Sequence, residues 1–116
     1  MKPLPFILFL LTLCLQGVCS PHLEAAPPKK AVFAVGGNCG MCKRRIEKAA
    51  SGLEGVVEAV WSKESKKLTL KYEPGKIGVD EVKKAIAAVG HDAGGVKAPQ
   101  EVYDKLHECC LYDRLK

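Results

Sequence analysis

At 116 residues the chain is long enough for one small domain and little more. Eighteen Lys and Arg stand against thirteen Asp and Glu, a net charge of +5. The two signs interleave along the chain, so the charge reads as a solvated surface. No basic stripe interleaved with aromatic residues occurs, which excludes a nucleic-acid interface from the working hypotheses.

The N-terminal end differs in character from the rest. Lys2 precedes an apolar run from Leu4 to Leu15, broken only by Pro5 and Thr12, and Gly17, Cys19 and Ser20 follow. That is the order of a secretory signal peptide, with an apolar core too short to span a bilayer. Residues 1–20 are expected to be such a peptide, cleaved after Cys19 or further on near Ala25, and the protein to be exported, in a bacterium to the periplasm. A membrane association would require lipidation of Cys19, and Gln16-Gly17-Val18 before it match that signal poorly. Residues 21–30 carry Pro21, Pro27 and Pro28 and read as a flexible leader.

The folded part is expected over 31–97. Ala31 to Val35 is an apolar, β-rich run, and Gly37-Asn38-Cys39-Gly40-Met41-Cys42 follows it. Beyond the two cysteines, Cys42, Ile46, Ala49/Ala50 and Leu53 recur at helical spacing, with Gly52 as terminator. Val57, Ala59 and Trp61 then alternate with outward residues as a half-buried strand. Ser62-Lys63-Glu64-Ser65 is a polar turn, and Leu68, Leu70 and Tyr72 give the second arm of a hairpin. Pro74-Gly75 breaks that arm. Gly78 can cap a second helix, with Asp80 and Glu81 in its first turn, Val82, Ala85/Ile86 and Val89 as its buried stripe and Gly90 at its end. Asp92 to Ala98 is a fourth strand, loosened by Gly94 and Gly95. The expected core is Ile46, Leu53, Val57, Trp61, Leu68, Leu70, Val82, Ile86 and Val89. The order β-α-β-β-α-β is that of an α+β, ferredoxin-like sandwich, two helices on one face of a four-stranded antiparallel sheet.

Residues 98–116 extend this unit. Pro99 can open a short helix through His107, with Val102, Tyr103 and Leu106 on one side. Packed on the sheet face that the two main helices leave open, it would carry Cys109 and Cys110 back toward Cys39 and Cys42; as a loose extension it would leave that pair to act separately.

The thiols carry the chemistry. Cys39 and Cys42 sit where a helix begins, and a helix N-terminus favours thiolate over thiol through its free N–H groups and its dipole. Lys43, Arg44 and Arg45 add positive charge in the same turn. They serve either as a plain solvent face or as neighbours that offset thiolate charge and meet an acidic partner domain. Two converging thiolates make a soft-metal site or a redox pair. In near-linear geometry they suit Cu(I) or Hg(II), whereas Zn(II) normally takes four ligands. Met41, between the cysteines, is read as packing at the helix start, with ligation the alternative. His91 follows the second helix at the end of the sheet that holds the cysteines, where it can approach them as a neighbour or as an additional ligand. Cys109 and Cys110 are adjacent, too close at Cα to bridge each other readily, and are candidate further metal ligands. Two other readings stay open: a thioredoxin-like oxidoreductase, and a secreted domain held by disulfides between the two cysteine pairs.

From about Ala31 to Val96 the chain resembles the heavy-metal-associated domain family. That family includes small copper chaperones, metal-binding domains of copper-exporting ATPases and periplasmic mercury scavengers. The resemblance rests on the CxxC in the first β-to-α loop, Gly55-Val56 opening the second strand, Leu68-Thr69-Leu70-Lys71-Tyr72, and Ile86 to Asp92. It implies a metal-binding protein, not an enzyme, that sequesters or transfers Cu(I) through Cys39 and Cys42, with Hg(II) as runner-up and Zn(II) a further option. The implied partner is a metal-transporting ATPase or another metal-handling protein of the cell envelope. Two departures stand out: Gly37 and Asn38 where many members have Met and Thr, and the extension with Cys109-Cys110.

Overall fold

The computed structural model describes residues 27–115. The expected signal peptide, Cys19 and most of the leader lie outside the described residues. Strands β1 (Lys29–Ala34), β2 (Val56–Ser62) and β3 (Lys67–Tyr72) form one sheet, with helix α1 (Gly40–Ser51) between β1 and β2 and helix α2 (Val79–Ala88) after β3. A third helix, α3 (Gln100–Asp104), and a 3-10 turn (Glu108–Cys110) complete the chain. The strand order is β1-β3-β2, both pairs antiparallel. β1 begins at Lys29 rather than Ala31, because Lys29 and Lys30 continue the ladder opposite Tyr72 and Lys71.

One face of the sheet carries Phe33, Val35, Ala59, Trp61, Leu68 and Leu70 against Ile46 and Ala50 of α1 and Val82 and Ile86 of α2. This is the expected core with three changes. Val57 is 54% exposed. A β-bulge between Val56 and Glu58 makes it the extra residue of β2, so the inward alternation restarts at Ala59. Leu53 packs only at the core's edge, and Val89 is half-buried as the cap of α2. Among the described residues the opposite face is left open: Val32 and Val60 are 53% and 45% exposed, on either side of Thr69 in one cross-strand row.

The expected fourth strand is absent among the described residues. Gly94 takes φ +55°, and Ala93 and Val96 exchange both backbone hydrogen bonds at 2.9 Å around Gly94-Gly95. The segment therefore closes into a tight turn instead of running along β1. What remains of the pairing is one bridge from Ala93 to Val35 at the outer edge of β1, flanked by Gly36 N–H to Asp92 O and Gly94 N–H to Ala34 O at 2.9 and 2.7 Å. The fold is thus an α+β sandwich consistent with the ferredoxin-like plan, with three strands.

The same turn changes the course of the extension. Because the chain never runs down the length of β1, the tail does not have to travel back, and it does not cover the open sheet face. It wraps the end of the sheet where the cysteines sit. α3 stops after five residues, and Leu106 beyond it lies over Gly90, whose added Cβ would come within 2.9 Å of the Leu106 side chain.

Apart from the buried thiols of Cys42 and Cys110, the core among the described residues is built of aliphatic and aromatic side chains, so it should stand without an ion. The metal-free, reduced protein is expected to unfold cooperatively in urea. Ile46→Ala, at a fully buried site, should lower its stability by about 2–5 kcal/mol.

Candidate metal centre

Cys39 is the N-cap of α1, with extended φ −139° and ψ 177°, which turns its sulfur toward the open helix end. Cys42 lies one turn on, fully buried. The loop that delivers them is shaped by lack of space: a Cβ on Gly37 would come within 2.9 Å of the Trp61 ring and 3.2 Å of Cys42 Cβ. Trp61 is in turn fixed by its indole N–H, which donates to Val35 O at 3.0 Å. Lys66, at φ 60° in the β2–β3 turn, donates through Nζ to Gly37 O at 2.7 Å, so the hairpin steadies the cysteine loop.

From the other side comes the tail. Tyr112 is buried and lies over Gly36, where even a methyl group would collide with its ring. Its hydroxyl donates to Gly90 O at 2.8 Å and accepts from Asp92 N–H at 2.7 Å. Burial pushes that hydroxyl up to about 12, so it stays protonated. The ring stacks on His91 at 5.4 Å and meets Tyr103 edge-on at 5.1 Å. Asn38 Nδ2 donates to Leu111 O at 3.1 Å. Arg114 clamps the buried Asp92, Nε to Oδ2 at 3.1 Å and Nη2 to Oδ1 at 2.6 Å.

These contacts set the 3-10 turn directly over Cys39. Its sulfur lies 3.4 Å from each of the sulfurs of Cys42, Cys109 and Cys110. All four cysteines are free thiols. The sulfurs of Cys39, Cys42 and Cys110 lie within 4.8 Å of one another. With metal–sulfur bonds of about 2.3 Å, three sulfurs around one ion stand about 4.0 Å apart and two in line about 4.6 Å. The triangle therefore fits a soft ion after small adjustments. Cys109 is exposed, 3.8 Å from Cys110 and 3.7 Å from Met41 Sδ.

The thiols are electrostatically unequal. Burial acts to raise the Cys39 pKa, but the Cys42 amide and the facing thiols of Cys110, Cys42 and Cys109 outweigh it and bring it to about 6. Cys42, buried and beside that thiolate, is pushed up to about 11. Contact with Cys39 raises Cys109, and burial raises Cys110 although Arg45 opposes it. The lowered pKa makes Cys39 the thiolate of the group, in contact with three thiols whose pKa values are raised, and an incoming cation must displace their protons.

The three basic residues expected either to form a solvent face or to offset thiolate charge divide between the two. Lys43 Nζ is taken up by Glu47 Oε2 at 2.7 Å and Trp61 O at 2.8 Å, which ties α1 to β2. Arg44 is exposed. Arg45 meets the His91 ring at 3.3 Å and acts to lower the Cys110 pKa. Arg45 lies three residues after Cys42, on the same helix face.

His91 is close but engaged. The Schellman end of α2, with Gly90 at φ +108°, sends His91 N–H to Ile86 O at 3.3 Å and the ring inward. Nδ1 donates to Gly36 O at 2.7 Å, which leaves Nε2 to accept from Arg45 Nη1 at 3.3 Å. Neither nitrogen is turned to the sulfurs, so the geometry gives His91 a scaffolding place rather than a ligand's. Met41 is not packed into the core either; it is 40% exposed beside Cys109.

Comparison with known proteins follows the same lines. A copper chaperone CopZ of Staphylococcus aureus is 33% identical over 57 residues, 49% of this chain and 84% of its own length. The structure of a CopZ metallochaperone superposes with a TM-score of 0.55 at 30% identity, covering 56% of this chain and 98% of that one. The N-terminal domain of a potential copper-translocating P-type ATPase of Bacillus subtilis, solved in the Cu(I)-loaded state, gives 0.56 at 31% identity, over 58% and 85%. Residues 32–92 match the model of the heavy-metal-associated domain; Cys109 and Cys110 lie beyond the matched stretch. By that match the chain belongs to the heavy-metal-associated domain family, as a chaperone-like soft-metal-binding protein with a cysteine cluster.

Proposed function

We propose that this protein is exported and binds Cu(I) in the cell envelope, holding it more than handing it on. The observation that carries the reading is the triangle of Cys39, Cys42 and Cys110 sulfurs, two from the α1 loop and one from the tail. Thiolates select soft monovalent copper over hard cations. A third protein sulfur occupies the position through which an acceptor's thiolate would otherwise attack. Transfer by ligand exchange then begins with displacement of Cys110 by the incoming thiolate and continues through a three-coordinate intermediate on Cys39 and Cys42. A metal-transporting ATPase domain is a fitting exchange partner, and the likeness to such a domain at 31% identity supports it. Export rests on the signal-like residues 1–20.

Hg(II) is the second candidate ion, favoured if two sulfurs in line suffice. Zn(II) would need a fourth thiolate, and the exposed Cys109 is the one at hand. A redox role draws on one specific observation, the exposed-side thiolate Cys39 with a pKa of about 6 beside the buried Cys42 at about 11, the split a nucleophile and a resolving thiol would show.

A competition titration of the reduced protein with a Cu(I)-specific chromophore, run in parallel with Hg(II) and Zn(II), tests the assignment. Tight Cu(I) binding that Cys39→Ser/Cys42→Ser abolishes is the expected result. Binding unchanged in that double variant would sink it, and insulin reduction without a metal preference would move the function to thiol exchange.

A further inference from the structure

The sulfur positions are lopsided for a single ion. Cys42 and Cys110 are fully buried, on the inner side of Cys39. Cys109 and the 40%-exposed Met41 lie on the outer, solvent side, their sulfurs 3.7 Å apart. Cys39 touches both sets, 3.4 Å from Cys42 and Cys110 within and 3.4 Å from Cys109 without. One ion in the inner triangle leaves Cys109 and Met41 as a soft, paired donor set beside it, with a thiolate already at its edge.

We propose that the cluster binds two Cu(I) ions in one chain, the inner one on Cys39, Cys42 and Cys110 and the outer one on Cys109 and Met41, with the Cys39 sulfur bridging them. The proposal rests on the Cu(I) reading above and extends it. A thiolate has lone pairs enough for two metals, whereas the thioether of Met41 can only cap one. Thiolate and thioether are the donor classes that select Cu(I). Binding of the outer ion releases the Cys109 thiol proton to solvent and forms Cu–S bonds to Cys109, Met41 and Cys39; no electron is transferred. The outer ion's single charge replaces that of the Cys109 proton it displaces, so the net charge of the cluster does not change.

The test is a stoichiometric one on the full, reduced chain. Cu(I) is titrated against competing chromophoric ligands of two strengths, with native mass spectrometry at each equivalent. The wild type is expected to load two ions as a monomer, in two resolved steps. Cys109→Ser should lose the second step and keep the first, and Met41→Leu should weaken the second step by at least about tenfold. X-ray absorption at two equivalents should show a metal–metal vector that one equivalent lacks. A wild type that stops at one tight equivalent would overturn the second site and leave the Cu(I) reading standing. So would a second ion retained by both variants, or one found only in dimers. A protein that binds no Cu(I) at all would take both readings down.

Discussion

Arg114→Ala should unfasten the tail and so empty one corner of the thiol cluster, although Arg114 touches no sulfur. The guanidinium donates to both oxygens of Asp92 and also to Gln100 Oε1 at 2.9 Å and Ala98 O. Asp92 is fully buried, and without Arg114 its oxygens keep only the amides of Ala98 and Leu115, at 2.8 and 3.1 Å, and a distant Lys97 at 3.9 Å. Stranding a buried charge costs about 3–5 kcal/mol. The molecule can escape that cost by letting the tail swing off and Asp92 rehydrate, so the penalty is limited to the free energy of tail docking. Either way the buried thiol of Cys110 becomes accessible. Its alkylation rate in the apo protein, followed by peptide mapping, should rise by about 100-fold, the equivalent of about 3 kcal/mol, and Cu(I) affinity should fall to that of a Cys110 variant. An unchanged Cys110 labelling rate and unchanged melting temperature would refute the clamp.

Acid should loosen the same latch, and the groups involved set the order. Burial, and Arg45 beside it, hold the His91 pKa below its ordinary value. Stability from the neutral ring is therefore present above the unfolded value of about 6.5 and is lost as pH falls through the folded one. Burial acts to raise Asp92, but Arg114 and the Ala98 amide outweigh it and lower its pKa. Its contribution is present above about 3.9 and fades only as pH drops through the lowered folded value. His91 packing under Tyr112 therefore weakens first on acidification, and the Arg114–Asp92 clamp last.

The parts of this molecule that follow from local pattern were readable, and those that depend on distant fits were not. Leu68 and Leu70 alternate because β3 is central and covered on one face only, and the period shows it. Val57 fits the same alternation yet faces solvent, since a bulge two residues past Gly55 shifts the register and leaves no mark in the hydrophobic pattern. Gly94-Gly95 was visible as a weakness in a strand; that it closes a turn depends on Ala93 finding Val96 rather than a neighbouring strand. Cys39 and Cys42 declared themselves by spacing at a helix start. Cys109 and Cys110 stood out as further candidate ligands, and they do reach Cys39, but not by the route over the open sheet face: their place depends on the Tyr112 ring filling the space that Gly36 leaves and on Asp92 being buried where Arg114 can reach it. Tyr112 and Arg114 are near Cys110 in the chain, but their partners Gly36 and Asp92 are distant, and no local pattern links them. Charge at the helix start was evident in Lys43, Arg44 and Arg45, but only the turn-by-turn geometry decides which of the three consecutive cations stands nearest the sulfurs.

Cys110→Ser should separate holding from handing over. It leaves Cys39 and Cys42 in place, with their sulfurs 3.4 Å apart, and removes the third corner of the triangle. A serine hydroxyl is a poor ligand for a soft ion, so X-ray absorption at one equivalent should report two sulfur neighbours where the wild type gives three. Affinity should drop by at least about tenfold, or 1.4 kcal/mol. Transfer should change in the opposite sense. With Cys110 present, an acceptor thiolate must first push a protein sulfur off the ion; without it, the incoming ligand adds directly to a two-coordinate centre. The rate of Cu(I) passage to a dithiol acceptor domain should therefore rise in the variant while its equilibrium affinity falls. If both fall together, Cys110 is part of the transfer path rather than a brake on it, and the reading of this chain as a copper store gives way to that of a carrier.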